Sequence, residues 1–276
     1  MGGGHPDWLR PEWDAPGVGA LMSTRAGGVS TGPFASLNLR DGLGDDAAAV
    51  VHNQAVFAAA LGARPVWLDQ VHGAAVLRLT SVRAEPFDKL RTGSVEAPSR
   101  ASGALRQAEG ERLQTADASI TTEPGIACAV QVADCLPVLF AAPEARGVGA
   151  AHAGWRGLAG GVLEAALAAL CEATGCAPGE LQAWLGPCIG PRHFEVGADV
   201  RKAFAGDEAF FAPHAEGKWL ADLPGLARAR LQRAGLVRIS GGRWCSVEDA
   251  SRFFSFRRDR GLTGRMAAAV WLEPRG

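Results

Sequence analysis

Apolar residues recur in short blocks separated by glycine, proline and charge along most of this 276-residue chain. Residues 17–23 read as a first strand, followed by a long loop, 25–39, with two glycine-rich turns. Over residues 47–61, Val50, Val51, Phe57 and Leu61 recur at helical spacing behind a capping Asp45 or Asp46. Residues 66–71 form a short apolar run that delivers Gln70 and His72 to a strand end before Gly73, and 76–79 continue as strand. Residues 81–114 have no apolar period and scatter Ser, Gly, Pro and charge; they read as a mobile insertion with no assigned chemistry. Strand patterns return at 118–121, 128–132, 138–142 and 148–151, the last ending at His152. A helix over 162–171 follows, then a strand at 181–185 and a rigid Gly/Pro loop. Residues 200–204 and 224–235 read as helical, 237–239 and 266–272 as strands, with a polar, basic loop between those two strands. Strand-only stretches interrupt the alternation of strand and helix. The pattern therefore predicts a layered α/β or α+β domain over 17–276 rather than a doubly wound sheet, preceded by a loose arm at 1–16.

Composition narrows the functional classes. A hydrophobic content of 47% supports a sizeable core, and a net charge of −1 gives no signal for a polyanionic partner such as nucleic acid. The apolar stretches are too short and too often broken by glycine to span a bilayer. The first residues lack the basic start and apolar centre of a secretory leader, so the expected location is cytoplasmic. Six Cys in a chain of this length are too sparse for a disulfide framework, and no Cys-x-x-Cys pair occurs.

The candidate chemistry gathers around residues 128–161. Asp134, Cys135 and Pro137 stand between two buried-strand patterns; His152 closes a third and is followed by Gly154, Arg156, Gly157, Gly160 and Gly161. His72, Cys135 and His152 are three borderline-soft donors, each at a predicted strand end. Cys with His suits Zn²⁺, and three protein ligands leave a fourth position open. The spacing equally permits a metal-free pair in which Cys135 attacks and His152 is the base. Asp134 is a candidate acceptor for a ligand histidine. Arg156, at a glycine-rich helix start, is a candidate for phosphate or carboxylate, and Arg257 and Arg258 form a second basic candidate. His193 and His214 read as loop residues without a role, and Cys245 is unassigned. Blue-copper chemistry fits poorly, since Met1, Met22 and Met266 lie far from these motifs.

Seven segments in series carry a family resemblance: 27–39 (GGVSTGPFASLNL), 68–73 (LDQVHG), 116–125 (ADASITTEPG), 132–140 (VADCLPVLF), 150–162 (AAHAGWRGLAGGV), 184–197 (WLGPCIGPRHFEVG) and 253–265 (FFSFRRDRGLTGR). Together they resemble the YfiH, or laccase-domain, family from about residue 18 to the C-terminus, skipping the 81–114 insert. The resemblance implies an α/β/β/α sandwich and a zinc-dependent purine nucleoside phosphorylase with adenosine deaminase and methylthioadenosine phosphorylase activities, a family long labelled copper-dependent polyphenol oxidase. It implies metal ligation by His72, Cys135 and His152. Asn38, Arg40 and Arg156 are the candidates for contacts to phosphate and nucleoside. The chain departs from the family in having Phe34, Phe194 and Phe256 at positions that often carry Tyr, and Ser246 where Thr is usual.

Overall fold

A computed structural model describes residues 4–81, 84–86 and 113–274. Most of the expected insertion, 82–83 and 87–112, lies outside the described residues. Fourteen strands and five α-helices are found among the described residues. In chain order these are β1 (Val18–Met22), α1 (Ala47–Leu61), β2 (Arg64–Val66), β3 (Val76–Leu79), β4 (Ala84–Pro86), β5 (Ala118–Thr121), β6 (Ile126–Val132), β7 (Leu136–Ala141) and β8 (Val148–Ala153). There follow α2 (Trp155–Ala159), α3 (Val162–Thr174), β9 (Gln182–Leu185), β10 (Glu195–Val196), α4 (Ala198–Ala203), β11 (Phe211–Ala215), β12 (Lys218–Ala221), α5 (Leu223–Arg233), β13 (Arg238–Gly241) and β14 (Met266–Leu272).

The strands form a four-stranded sheet, β1-β14-β6-β2, a seven-stranded mixed sheet, β13-β9-β7-β8-β5-β3-β4, and a small sheet, β10-β12-β11. Strand alternation explains the layering, because successive side chains point to opposite faces. In β14 and β6, Ala127, Ala129, Ala267, Ala269 and Trp271 face α1, while Cys128, Val130, Val132, Ala268 and Val270 face the large sheet. In the large sheet, Leu139, Val148 and Ala150 meet that first sheet, and Val138, Phe140, Ala151 and Ala153 meet α3 and α5. The order is helix, sheet, sheet, helix, the α/β/β/α sandwich that the family resemblance implies.

Helix α1 is set by local chemistry. The Asp46 carboxylate accepts from the Ala49 N–H at 2.8 Å, and Gly62 ends the helix at φ 64°. Val50, Phe57 and Leu61 are buried, as is Asn53. The Asn53 amide donates to Ser30 Oγ, Ser36 O and Asn38 O and accepts from the Val29 N–H. One buried side chain thereby supplies partners to a loop that has no ladder of its own.

Three expectations need correction. The segment expected to be a loose arm is docked: Trp8 is buried, donates from Nε1 to Ala26 O at 3.0 Å, and Leu9 bridges Met22. An aromatic in a polar, Gly/Pro-rich segment gives no periodicity, yet its apolar area is best placed against Phe57. Residues 66–71 are strand only to Val66, because the N–H groups of residues 71–73 bond a carboxylate instead of a ladder. The small sheet has no counterpart in the pattern reading. Its strands are short and largely exposed, so they lack the apolar alternation that would reveal them.

Phe57 is fully buried between Trp8 and Trp67, with ring centroids 5.6 and 6.0 Å away. Phe57→Ala is expected to cost about 3–5 kcal/mol, read as a lowered denaturant midpoint. A loss below about 1 kcal/mol would show that this cluster does not hold α1 to its sheet.

Candidate functional site

The chain passes from one sheet to the other between β6 and β7 in three residues, Ala133, Asp134 and Cys135. Cys135 therefore stands on the rim of the sandwich. The antiparallel register does the rest. Ala118 pairs with Ala151 and Pro137 with His152, so His152 has Asp117 beyond the start of β5 on one side and the start of β7 on the other. Asp117, Cys135 and His152 share the strand parity that faces the other sheet, and all three lie at the same rim.

His72 joins them from the loop after β2. Its backbone is left-handed, φ 62°, a conformation that a residue other than glycine holds only when its surroundings impose it. Asp117 imposes it. The buried carboxylate accepts from the N–H groups of Val71 at 3.2 Å, His72 at 2.9 Å and Gly73 at 2.6 Å, and from His152 Nδ1 at 2.8 Å. Asp117, not Asp134, is thus the carboxylate that orients a candidate ligand histidine. Asp134 accepts from Ser246 Oγ at 2.5 Å and from the Arg257 N–H at 2.6 Å, tying the 246–257 segment to the rim.

The donor atoms of His72, Cys135 and His152 lie within 4.8 Å of one another. The two imidazoles meet edge-on with centroids 4.8 Å apart. Tetrahedral zinc with Zn–S about 2.3 Å and Zn–N about 2.05 Å separates S from N by about 3.5 Å; Cys135 Sγ and His72 Nε2 are 3.6 Å apart. With Nδ1–H donated to Asp117, His152 presents Nε2 as a ligand. A Cβ at Gly154 would lie 2.6 Å from His72 Cδ2 and 3.0 Å from Cys135 Sγ, so only glycine lets the chain pass this centre. These residues fit a borderline-soft divalent ion.

Electrostatics agree with that fit. Burial pushes the Asp117 carboxyl up, but the hydrogen bonds from His152, Gly73 and His72 hold it below its ordinary value. Burial likewise raises the Cys135 thiol, and the charges and hydrogen bonds of His152 and His72 more than reverse this. Burial lowers His152, while the Cys135 thiolate and Asp117 push it up. The metal-free chain therefore favours a thiolate beside an imidazolium. Thiolate is also the form that binds metal, and a bound cation would take the place of the imidazolium proton.

A cleft of about 480 Å³ opens over the centre. Arg40, Arg156, Arg257 and Arg265 line it together with Phe194 and Phe256. Among the described residues, none of the four arginines forms a side-chain ion pair with a carboxylate. Arg156 lies over the Trp155 ring at 4.3 Å, inside a five-residue helix that is separate from the long α3. Asn38 does not reach the cleft. It is fully buried, donates to Arg40 O and Asp45 Oδ2, and accepts at Oδ1 from the Arg40 and Arg265 N–H groups. It positions two arginines rather than touching a ligand. Arg258 is also structural, paired with Asp259 and donating to Ser246 O and Phe253 O. Sequence reasoning missed Asp117 and Arg265. Each directly precedes a strand, a signal that has value only once the register brings those strand ends together.

Comparison with known proteins matches this architecture. A family model described as multi-copper polyphenol oxidoreductase laccase matches residues 19–273. A purine nucleoside phosphorylase of Pseudomonas aeruginosa is 44% identical, over 96% of this chain and 98% of that protein. Purine nucleoside phosphorylase YfiH of Escherichia coli is 45% identical, over 95% and 97%. Among solved structures, YlmD from Geobacillus stearothermophilus superposes with a TM-score of 0.84 at 33% identity, covering 97% of this chain and 96% of that one. Neisseria meningitidis NMB0706 gives 0.81 at 40% identity, covering 97% and 100%.

Asp117→Asn keeps the shape of the side chain but removes its charge and offers an NH₂ where an acceptor is needed. Metal affinity is expected to fall about 10–100-fold, measured by competition with a chromophoric chelator. Unchanged affinity would show that Asp117 does not orient His152.

Proposed function

Because the chain belongs to the laccase-domain family, whose model spans residues 19–273, and has relatives named purine nucleoside phosphorylases, we propose that it is a zinc-dependent purine nucleoside phosphorylase. The reading includes deamination of adenosine and phosphorolysis of methylthioadenosine. The observation that carries it is the convergence of the His72–Cys135–His152 cluster and four cleft arginines on one cavity of about 480 Å³, a size suited to a small-molecule substrate.

In phosphorolysis a phosphate oxygen bonds to the ribose C1′ as the C1′–N bond to the purine breaks. The protein must hold an anion against a centre that becomes electron-poor. Arg40, Arg156 and Arg265 supply guanidinium groups for that anion, and Asn38 fixes the backbones of Arg40 and Arg265. Burial and the neighbouring Arg40 lower Arg265 from its ordinary value, a like-charge arrangement that an anion between the two relieves. Phe194 and Phe256 offer apolar faces to a purine; Phe256 is 53% exposed at the mouth. Zinc held by His72, Cys135 and His152 would supply Lewis-acid chemistry beside the substrate.

A second reading rests on Asp117, His152 and Cys135 as a metal-free triad, with Asp117 orienting the imidazole and Cys135 as nucleophile. Purified chain incubated with adenosine separates the readings. Adenine formed only with phosphate indicates phosphorolysis, and inosine indicates deamination. Loss of both on chelation, with recovery on adding Zn²⁺, supports the zinc reading; chelator-insensitive activity lost in Cys135→Ala supports the triad. Arg40→Ala is expected to raise KM for phosphate at least about 10-fold with a smaller effect on KM for the nucleoside. Equal changes in both would remove Arg40 from the anion site.

A further inference from the structure

Outside the cleft cluster, a second set of metal-type donors stands on the rigid Gly/Pro loop and the turn packed against it. His193, Cys245 and Glu248 bring one nitrogen, one sulfur and one carboxylate oxygen within 4.8 Å of one another. They share no residue with the first centre. We propose that His193, Cys245 and Glu248 form a second divalent-metal site for a borderline-soft ion such as Zn²⁺, which staples one wall of the cleft.

The local structure prepares the site. Cys188 and Cys245 form a parallel bridge, and the Ser246 N–H donates to Cys188 O at 2.8 Å, so the two segments run side by side. The His193 N–H turns back onto Gly190 O at 3.0 Å, presenting the imidazole beside the turn, with Nε2 3.0 Å from Glu248 Oε1. The Gly190 N–H donates to Cys245 Sγ at 3.3 Å. This contact fixes the direction of the sulfur, as the outer shell of a metal site does. Arg192 clamps Glu248, Nε to Oε1 at 2.8 Å and Nη2 to Oε2 at 2.7 Å. A carboxylate has about four lone-pair sites, so Oε1 retains capacity for an ion while Arg192 fixes its direction. The His193 side chain is 39% exposed and that of Glu248 33%, which gives an ion access and leaves room for a water as fourth ligand.

The site's position bears on the cleft. Ile189 and Phe194, on the same loop, line it, and Arg257 of the cleft donates to His193 O at 3.4 Å and Glu195 O at 3.1 Å. An ion here would fasten that wall to the 245–248 turn.

Cobalt titration of the metal-stripped full chain tests the proposal, since thiolate ligation gives a sulfur-to-cobalt charge-transfer band. The wild type is expected to take up two equivalents and His193→Ala one. Cys135→Ser is expected to retain one equivalent with its thiolate band, and Cys135→Ser combined with Cys245→Ser to lose that band. A single equivalent that survives Cys135→Ser and disappears in Cys245→Ser supports this site and counts against the cleft centre instead. Saturation at one equivalent that Cys135→Ser abolishes, or an unchanged stoichiometry in His193→Ala, overturns the proposal. His193 and Glu248 are partly exposed, so the His193→Ala arm stands even if a cysteine variant fails to fold.

Discussion

A buried carboxylate is costly unless its lone pairs are filled, and the Asp117 carboxylate receives four donors. Three come from consecutive backbone N–H groups at 71–73 and one from His152. The left-handed turn at His72, the rotation of the His152 ring and the distance between the two imidazoles all follow from satisfying that one charge. The arrangement is reciprocal. Without the turn the carboxylate would lack most of its partners, and without the carboxylate the turn would lose the acceptor that its three N–H groups share. The geometry of the centre is thereby set by the protein's own hydrogen bonds.

The sandwich makes this possible by geometry rather than by special residues. Two sheets packed face to face must have a rim where the chain crosses between them, and β6 to β7 is such a crossing. Side chains that point between the sheets along the strands point into open space at the rim. Cys135 and His152 reach the cleft there with Asp117 buried directly beneath, and Arg265, before β14, approaches the same rim from the other sheet. The interior just behind is dense with Ala, Val and Leu, so Cys135 and His152 stand on rigid strand ends, and the Asp117 bonds fix the loop that carries His72. A centre built this way keeps its shape through packing, whereas one on free loops would pay for order with entropy.

Around the centre positive charge predominates. The cleft arginines have backbone carbonyls and aromatic faces as partners rather than carboxylates. Four guanidinium groups against one lining carboxylate, Asp134, which is taken up by Ser246 Oγ and the Arg257 N–H, leave a demand for an anion. That demand, more than the metal donors alone, is what the proposed phosphate-dependent activity draws on. The apolar rings at the mouth provide for the uncharged part of a substrate.

Hydrophobic spacing alone located α1 and β14 to the residue and most of the other long elements closely, because a half-buried helix and a buried strand each impose a period on the residues that face the core. The candidate donors at 72, 135 and 152 stood out by residue type, since thiol and imidazole are few and chemically distinctive, but the placing of His72 on a loop rather than at a strand end was not legible. The small β10-β12-β11 sheet was not, because exposed strands leave no apolar period, and neither was the docking of Trp8, which depends on a partner, Phe57, far along the chain. Asp117 and Asp134 look alike in one dimension: each is an aspartate just ahead of a strand. Only the β5–β8 register puts Asp117 beside His152, while the crossing at 133–135 turns Asp134 toward Ser246 and Arg257. Asn38 shows the same division, since its residue type suits a ligand contact and its burial assigns it to holding Arg40 and Arg265. Residue chemistry states which groups can react; strand register and packing decide which of them meet.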